Sequence, residues 1–401
     1  MRLQNTMKLA SMELLYLFRQ MTLVILCGFI IVASYCLTSK EKALENASLF
    51  DEFSNNITAK EKELFTGFSY QYSEGSVLLS DEELDKQIRM EGIDRTITNR
   101  NALQVGNVLL KQEKWKQERR SIYEKAKAEK ESILLSGRTG FELEYFQKIE
   151  TAYQEEPKYE LYSFDGWEEY FFLTSYISKN GSFGVFEVLL IVSAGVILFM
   201  KDREKKTHVF LAATRFGTCV GAYVAKIMAT VAYGFAVQSV LKWFLILWLS
   251  LVRNFDMRHI LSDIRNVEMF AMADVKMPIL GLVLLDMLLK VMVSLVILLF
   301  LLLLVRFLRR ELFLILSGSG MIAVFYYFAY QKLIASSGIS WLFNPMNVLH
   351  IGYLLQDTGN KLGNHAVDVR VLFFLIWGNA LIVGMCLGHV FWKRGLYEKV
   401  S

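Results

Sequence analysis

Three stretches without a single Lys, Arg, Asp or Glu, 20–39, 312–331 and 371–392, run for 20, 20 and 22 residues. A hydrocarbon layer about 30 Å thick is crossed by roughly 20 helical residues rising about 1.5 Å each. Such a chain is expected to thread a bilayer several times. Its apolar content of 54% stands above the roughly 45–50% of soluble domains. Six spans are expected, at about 20–38, 183–200, 219–252, 278–305, 312–335 and 370–392. The third is too long for one straight crossing helix and is expected to begin or end in an interfacial turn.

Three prolines and four cysteines exclude a proline-rich linker protein and a disulfide scaffold. No CxxC or Cys/His spacing points to a metal. The charge is divided unevenly along the chain. Residues 39–182 hold 20 Lys+Arg against 27 Asp+Glu, a balance of −7, while the remainder holds 24 against 13, a balance of +11. An acidic, water-soluble insert of 144 residues therefore interrupts a basic membrane protein. The basic residues edge the apolar spans instead of forming one stripe, so the expected partner is a lipid bilayer and not a nucleic acid.

Flanking Lys and Arg set the orientation of the spans. With the N-terminus in the cytoplasm, the inner segments carry 14 of them and the two short outer loops five. Both termini are then cytoplasmic, the insert is extracytoplasmic, and the protein is multi-pass in the cell membrane. The fold class expected is an all-α polytopic membrane protein: six transmembrane helices with a large, mainly helical insert between the first and second. Residues 1–19 read as a cytoplasmic interfacial helix in which Met7, Leu14, Leu15 and Phe18 recur at helical spacing. The alternative is that they simply begin a long first helix. A signal peptide is disfavoured, because the uncharged stretch is longer than a signal core and no A-x-A-like site follows.

In the insert, 108–135 has good helix formers and no Gly or Pro, with Val108, Trp115 and Ile122 stepping by seven and Ala126 and Ile133 continuing a second such row. Two full rows are not sustained, so a helix packed within a small domain is expected and not a coiled coil. The aromatic residues of 141–173 are expected to form the core and a membrane-proximal belt; the alternative is an amphipathic surface that receives or gates an apolar substrate. Five ionisable residues fall in or near spans: Glu187, Lys242, Asp286, Lys290 and His389. Glu187, Lys242 and His389 are expected near an interface, where long side chains reach water. Asp286 and Lys290 stand four apart on one helix face, well inside a span. Two readings of that pair stay open: a self-neutralising insertion device, or a pair that changes partner during a transport cycle.

After the second span comes KDREKKTHVFLAATRFGTCVGAYVAKI. It reads as a short amphipathic helix, with Val209, Phe210 and Ala213 on its apolar side. Glu204, Thr207, Leu211, Arg215 and Lys226 here fall in a pattern that resembles the permease subunits of type-2 ATP-binding-cassette exporters. The chain departs from that pattern in having Lys206 where a small residue usually precedes the threonine, and no proline before the basic residue. The resemblance implies that about 201–216 is a coupling helix, with Glu204, Thr207, Phe210, Leu211 and Arg215 meeting a separate nucleotide-binding subunit. It further implies two copies of that ATPase, which hold ATP and Mg, and a second permease copy or paralogue. No G-x-x-x-x-G-K-[ST] occurs, so no phosphate-cradling loop, cofactor site or ATPase activity is expected in this chain.

The function expected is therefore the membrane-spanning subunit of an ATP-driven exporter of a peptide, lipid or other amphiphile. The alternatives are a membrane sensor with an extracytoplasmic ligand-binding domain, an ion-exporting permease of the same family, and a secondary carrier or channel. The cytoplasmic segments are short for a sensor's output domain, and no inverted repeat or broken helix favours a carrier.

Overall fold

A computed structural model of the chain describes residues 4, 6–20, 58–73, 81–90, 99–162, 164–175, 183–205, 219–253, 257–304, 311–334, 344–356, 360–362 and 365–397. Helix α1 covers 6–20. It is followed by α2 (Ala59–Ser73), α3 (Asp81–Met90), α4 (Asn99–Leu135), α5 (Phe141–Tyr153) and α6 (Asp165–Ser175). Then come α7 (Phe183–Lys205), α8 (Cys219–Arg253), α9 (Ile279–Leu304), α10 (Glu311–Ile334), α11 (Ile351–Gln356) and α12 (Val369–Tyr397). Among the described residues, a short antiparallel pair departs from the all-α pattern, β1 (Asn360–Leu362) and β2 (His365–Val367), with Asn360 opposite Val367.

Helices α7, α8, α9, α10 and α12 are long and apolar enough to cross a membrane. They coincide with the second to sixth expected spans, and residues 21–38 of the first lie outside the described residues. The third expected span is one continuous helix of 35 residues, without the interfacial turn its length suggested. Burial ranks the five. In α7 and α9, 67% of the most apolar window is buried, against 22% in α10 and 17% in α12. Helix α9 is the hub, packed against α7, α8, α10 and α12. Leu312, Phe313 and Leu316 of α10 and Phe374, Leu375 and Ile382 of α12 face outward, a surface suited to lipid chains.

Helices α2 to α6 form a module at one end of this bundle. Local chemistry sets its helix ends. Thr58 and Glu61 make a reciprocal capping box at the start of α2, the Thr58 N–H reaching Glu61 Oε2 at 2.6 Å and the Glu61 N–H reaching Thr58 Oγ1 at 3.3 Å. Helix α4 stops at Gly137, whose φ of 66° is the left-handed conformation that favours glycine. There the Gly137 N–H reaches Leu134 O at 3.1 Å and the Arg138 N–H reaches Ile133 O at 3.2 Å, the paired bonds of a Schellman stop. Near its other end, a Cβ on Gly106 would lie 2.2 Å from Phe65 O, so glycine there lets α2 and α4 approach closely.

The module is continuous with the bundle. One connected set of buried apolar side chains runs from Phe65 and Trp167 to Leu302. Module α5 also holds β2: Lys148 donates to Ala366 O, and the Ala366 N–H donates to Glu144 Oε2 at 3.0 Å. Three segments expected on the outer side, the insert and the loops after α8 and α10, thus meet at one end.

At the opposite end, α1 is tied in by charge. Glu13 accepts from Lys201 at 2.9 Å and lies 3.5 Å from Lys226. Leu17 of α1 is fully buried against Leu190, Ala194 and Leu198 of α7 and Tyr233 of α8, and Phe18 meets the Tyr233 ring at 5.4 Å. Tyr233 stands about two turns along α8 from Lys226, so α1 enters between α7 and α8.

Candidate functional site

Four charged side chains from three spans converge beneath the module. They are Glu187 of α7, Lys242 of α8, and Asp286 and Lys290 of α9, each at most 1% exposed. Lys290 Nζ lies 2.8 Å from Asp286 Oδ2 and 2.6 Å from Glu187 Oε2. Lys242 also donates to Asp286, and it stands 3.6 Å from Glu187. Two cations and two carboxylates cancel, which is the condition for burying charge in a low-dielectric bundle.

Helix α6, the last of the module, closes this cluster from above. Ser175 Oγ donates to Asp286 Oδ1 at 2.9 Å, and Lys290 donates to Thr174 O at 2.7 Å. The Tyr170 ring lies 5.9 Å from Lys242 Nζ, within cation–π range. On the membrane side, Gln238 Nε2 donates to Met287 O at 3.3 Å, and Ser294 Oγ to Lys290 O at 2.7 Å. Polar bonds between α6 and the spans thus pass through these charges, so the module and three spans share one node.

Glu187 and Lys242 therefore do not reach for water as expected. The spacing along α9 puts Asp286 and Lys290 on one face, and α7 and α8 present Glu187 and Lys242 to that same face. Neutralisation inside the bundle replaces snorkelling. His389, on α12, lies against the Tyr223 ring of α8 with centroids 5.4 Å apart. Of the expected coupling residues, Glu204 falls in the last turn of α7. Thr207, Phe210, Leu211 and Arg215 lie outside the described residues.

A second polar seam joins the module to the 257–277 loop. Arg119 of α4, 1% exposed, donates to Ala273 O at 2.8 Å and Ala271 O at 3.3 Å. Asn266 Oδ1 accepts the Glu160 N–H at 2.8 Å, and Glu160 Oε2 meets His259 Nδ1 at 2.9 Å and Ser262 Oγ at 2.7 Å. The His259 hydrogen bond, followed by that of Ser262, outweighs burial and lowers the Glu160 pKa below the ordinary carboxylate value. No family model, curated protein or solved structure matches this chain.

Proposed function

We propose that the chain is the membrane-spanning subunit of an ATP-driven exporter of the type-2 ATP-binding-cassette kind. It pairs with a second copy or a paralogue and with two copies of a separate ATPase that hold ATP and Mg. The observation that carries this reading is Glu13. Its carboxylate takes Lys201 at one end of α7 and Lys226 near the start of α8, the two helices that enclose residues 206–218. A turn that passes force from an ATPase to the spans needs both flanking helices fixed to a common strut, and α1 is that strut. At the other end, the four-charge node joins the same two helices to α9 and the module, so α7 and α8 are tied by charge at both ends. On this reading Glu204, Thr207, Phe210, Leu211 and Arg215 meet the ATPase, and a peptide, lipid or other amphiphile leaves on the module's side.

Replacing Phe210 and Leu211 together by Asp is expected to detach or uncouple the ATPase, because two charges would enter an apolar docking groove. The measurement is co-purification of the wild-type and variant chains with the ATPase, then substrate-stimulated ATP turnover. A double variant that retains its ATPase and normal stimulated turnover would falsify the assignment.

Orientation is tested separately. Single cysteines placed at Ser132 and Thr207, with the four native cysteines replaced, are treated in intact cells with an impermeant thiol reagent. Position 132 is expected to label directly and position 207 only after permeabilisation. The reverse pattern would turn the protein over in the membrane.

A further inference from the structure

Away from the charged node, the module and the 257–277 loop enclose a cleft of about 340 Å³ that opens to solvent. Small-ligand sites run from roughly 300 to 1,000 Å³. Its apolar wall is aromatic: Trp115 from α4, with Tyr162 and Phe164 from the segment entering α6. These rings are set before any ligand arrives. Tyr162 packs edge-on to Phe164 at 5.2 Å and stacks on His259 at 3.8 Å, and Trp115 leans on Tyr159 at 5.8 Å. A fixed aromatic wall offers an organic body a large contact at little conformational cost.

The polar wall is unbalanced. Asp165, Glu168 and Glu268 face the cleft with Lys111 as the only cation in its lining. Lys111 Nζ sits 2.5 Å from Glu268 Oε2, which leaves two carboxylates without an ionic partner in the cleft. Burial first, and then the charge of Glu268, hold the Glu168 carboxyl above its ordinary pKa; a second cation would relieve that repulsion. The remaining lining supplies neutral amides, from Gln104 and Asn107 among others. Positive charge beside aromatic faces is also favoured by the ring quadrupole.

We infer that this cleft binds an organic cation: an ammonium or guanidinium group carried on an aromatic or aliphatic body. Asp165, Glu168 and Glu268 take the charge, and Trp115, Tyr162 and Phe164 take the body. Lys111 is the internal competitor, a tethered cation occupying part of the field that a ligand would use. The cleft shares helix α6 with the four-charge node but no lining residue, and its occupancy needs no ATPase, so this inference and the exporter reading stand or fall separately.

The test uses the full-length chain in detergent and two probes of matched shape. Phe-Arg-amide carries a ring and two cations; N-acetyl-Phe-citrulline-amide carries the ring and none. Titration calorimetry is expected to show saturable binding of the first and roughly tenfold or weaker binding of the second. Glu268→Gln and Glu168→Gln are each expected to weaken the cation severalfold. Lys111→Met is expected to tighten it severalfold, a direction that damage to the fold does not produce. Equal binding of both probes, no saturable binding of the cation at millimolar concentration, or weaker binding by Lys111→Met overturns the inference.

Discussion

Asp286→Asn is expected to destabilise the folded chain by about 3–5 kcal/mol, the range for stripping one partner from a buried ion pair. The informative result is which second substitution repairs it. With Asp286 neutral, two lysines face one carboxylate, and removing either lysine restores charge balance. Lys242→Met leaves Lys290 beside Glu187 at 2.6 Å, still anchored to Thr174 O at 2.7 Å. Lys290→Met leaves Lys242 3.6 Å from Glu187, a looser pair that has also lost the bond to α6. Asp286→Asn with Lys242→Met is therefore expected to recover most of the lost stability, and Asp286→Asn with Lys290→Met clearly less. An isolated pair four residues apart on α9 would give the reverse order, since Lys290 would be the sole orphan. Thermal unfolding midpoints of the detergent-solubilised variants decide it. Equal rescue by both lysine substitutions would dissolve the four-member node into independent contacts.

The same variants separate the two readings of the Asp286–Lys290 pair. If neutralisation is the whole role, the well-rescued double variant transports normally once it assembles. If the charges exchange partners during a cycle, it assembles and transports poorly, because Lys290 has only Glu187 left to hold. Assembly and transport have to be read on one preparation for this comparison, as double-mutant logic requires.

Part of this node was legible in the sequence. The spacing of Asp286 and Lys290 alone puts both on one helix face. Glu187 and Lys242 were misread because snorkelling and pairing differ only in what stands opposite, which a single helix does not encode. A usable signal was present nonetheless. Counted from the ends of the spans nearest the module, Glu187 lies four residues in, Asp286 seven, Lys242 nine and Lys290 eleven, so the four share a common depth band. Charges of opposite sign at one depth in three spans are better read as partners than as three accidents.

In the module the apolar pattern was legible only in part: Ala126 and Ile133, its second row, are buried. The heptad row Val108, Trp115 and Ile122 is only partly buried, while the deep row is Val105, Gln112, Arg119, Ala126 and Ile133. Two members of the deep row are polar, and apolar periodicity passes over them. Both find partners at long range: Gln112 Nε2 donates to Glu160 O at 2.7 Å, and the Arg119 terminal nitrogen reaches carbonyls more than 150 positions away in the 257–277 loop, while its Nε stays without a partner. The aromatic run was easier, because Trp167, Tyr170 and Phe171 are fully buried as expected of a core. Their contacts extend past the module, with Phe171 meeting Phe270 of the same loop at 5.0 Å.

Arg119→Met is expected to release the 257–277 loop from the module, at a cost of about 2–4 kcal/mol. Three effects add in one direction. The guanidinium bonds to Ala271 O and Ala273 O disappear, and those carbonyls belong to residues that are 2% and 0% exposed, so water does not readily replace the donor. The weaker bond to Ala152 O at 3.5 Å, which ties α5 to the same point, goes with them. The face of Tyr153, now covered by the guanidinium at 4.6 Å, loses its cation, although the Tyr153 hydroxyl keeps its bond to Met272 O at 2.8 Å. Methionine restores the apolar volume and none of the donors. Arg119→Lys separates charge from geometry, because one ammonium keeps the charge but lacks the planar fork that spans two carbonyls and lies flat on a ring. It is expected to recover less than half of the loss. Amide exchange across 264–277 is the direct readout, with protection falling strongly for the methionine variant and partly for the lysine variant. Unchanged protection in Arg119→Met would show that the apolar contacts around Phe270 hold the loop without the arginine. Full protection in Arg119→Lys would show that charge, and not the fork, is what the seam requires.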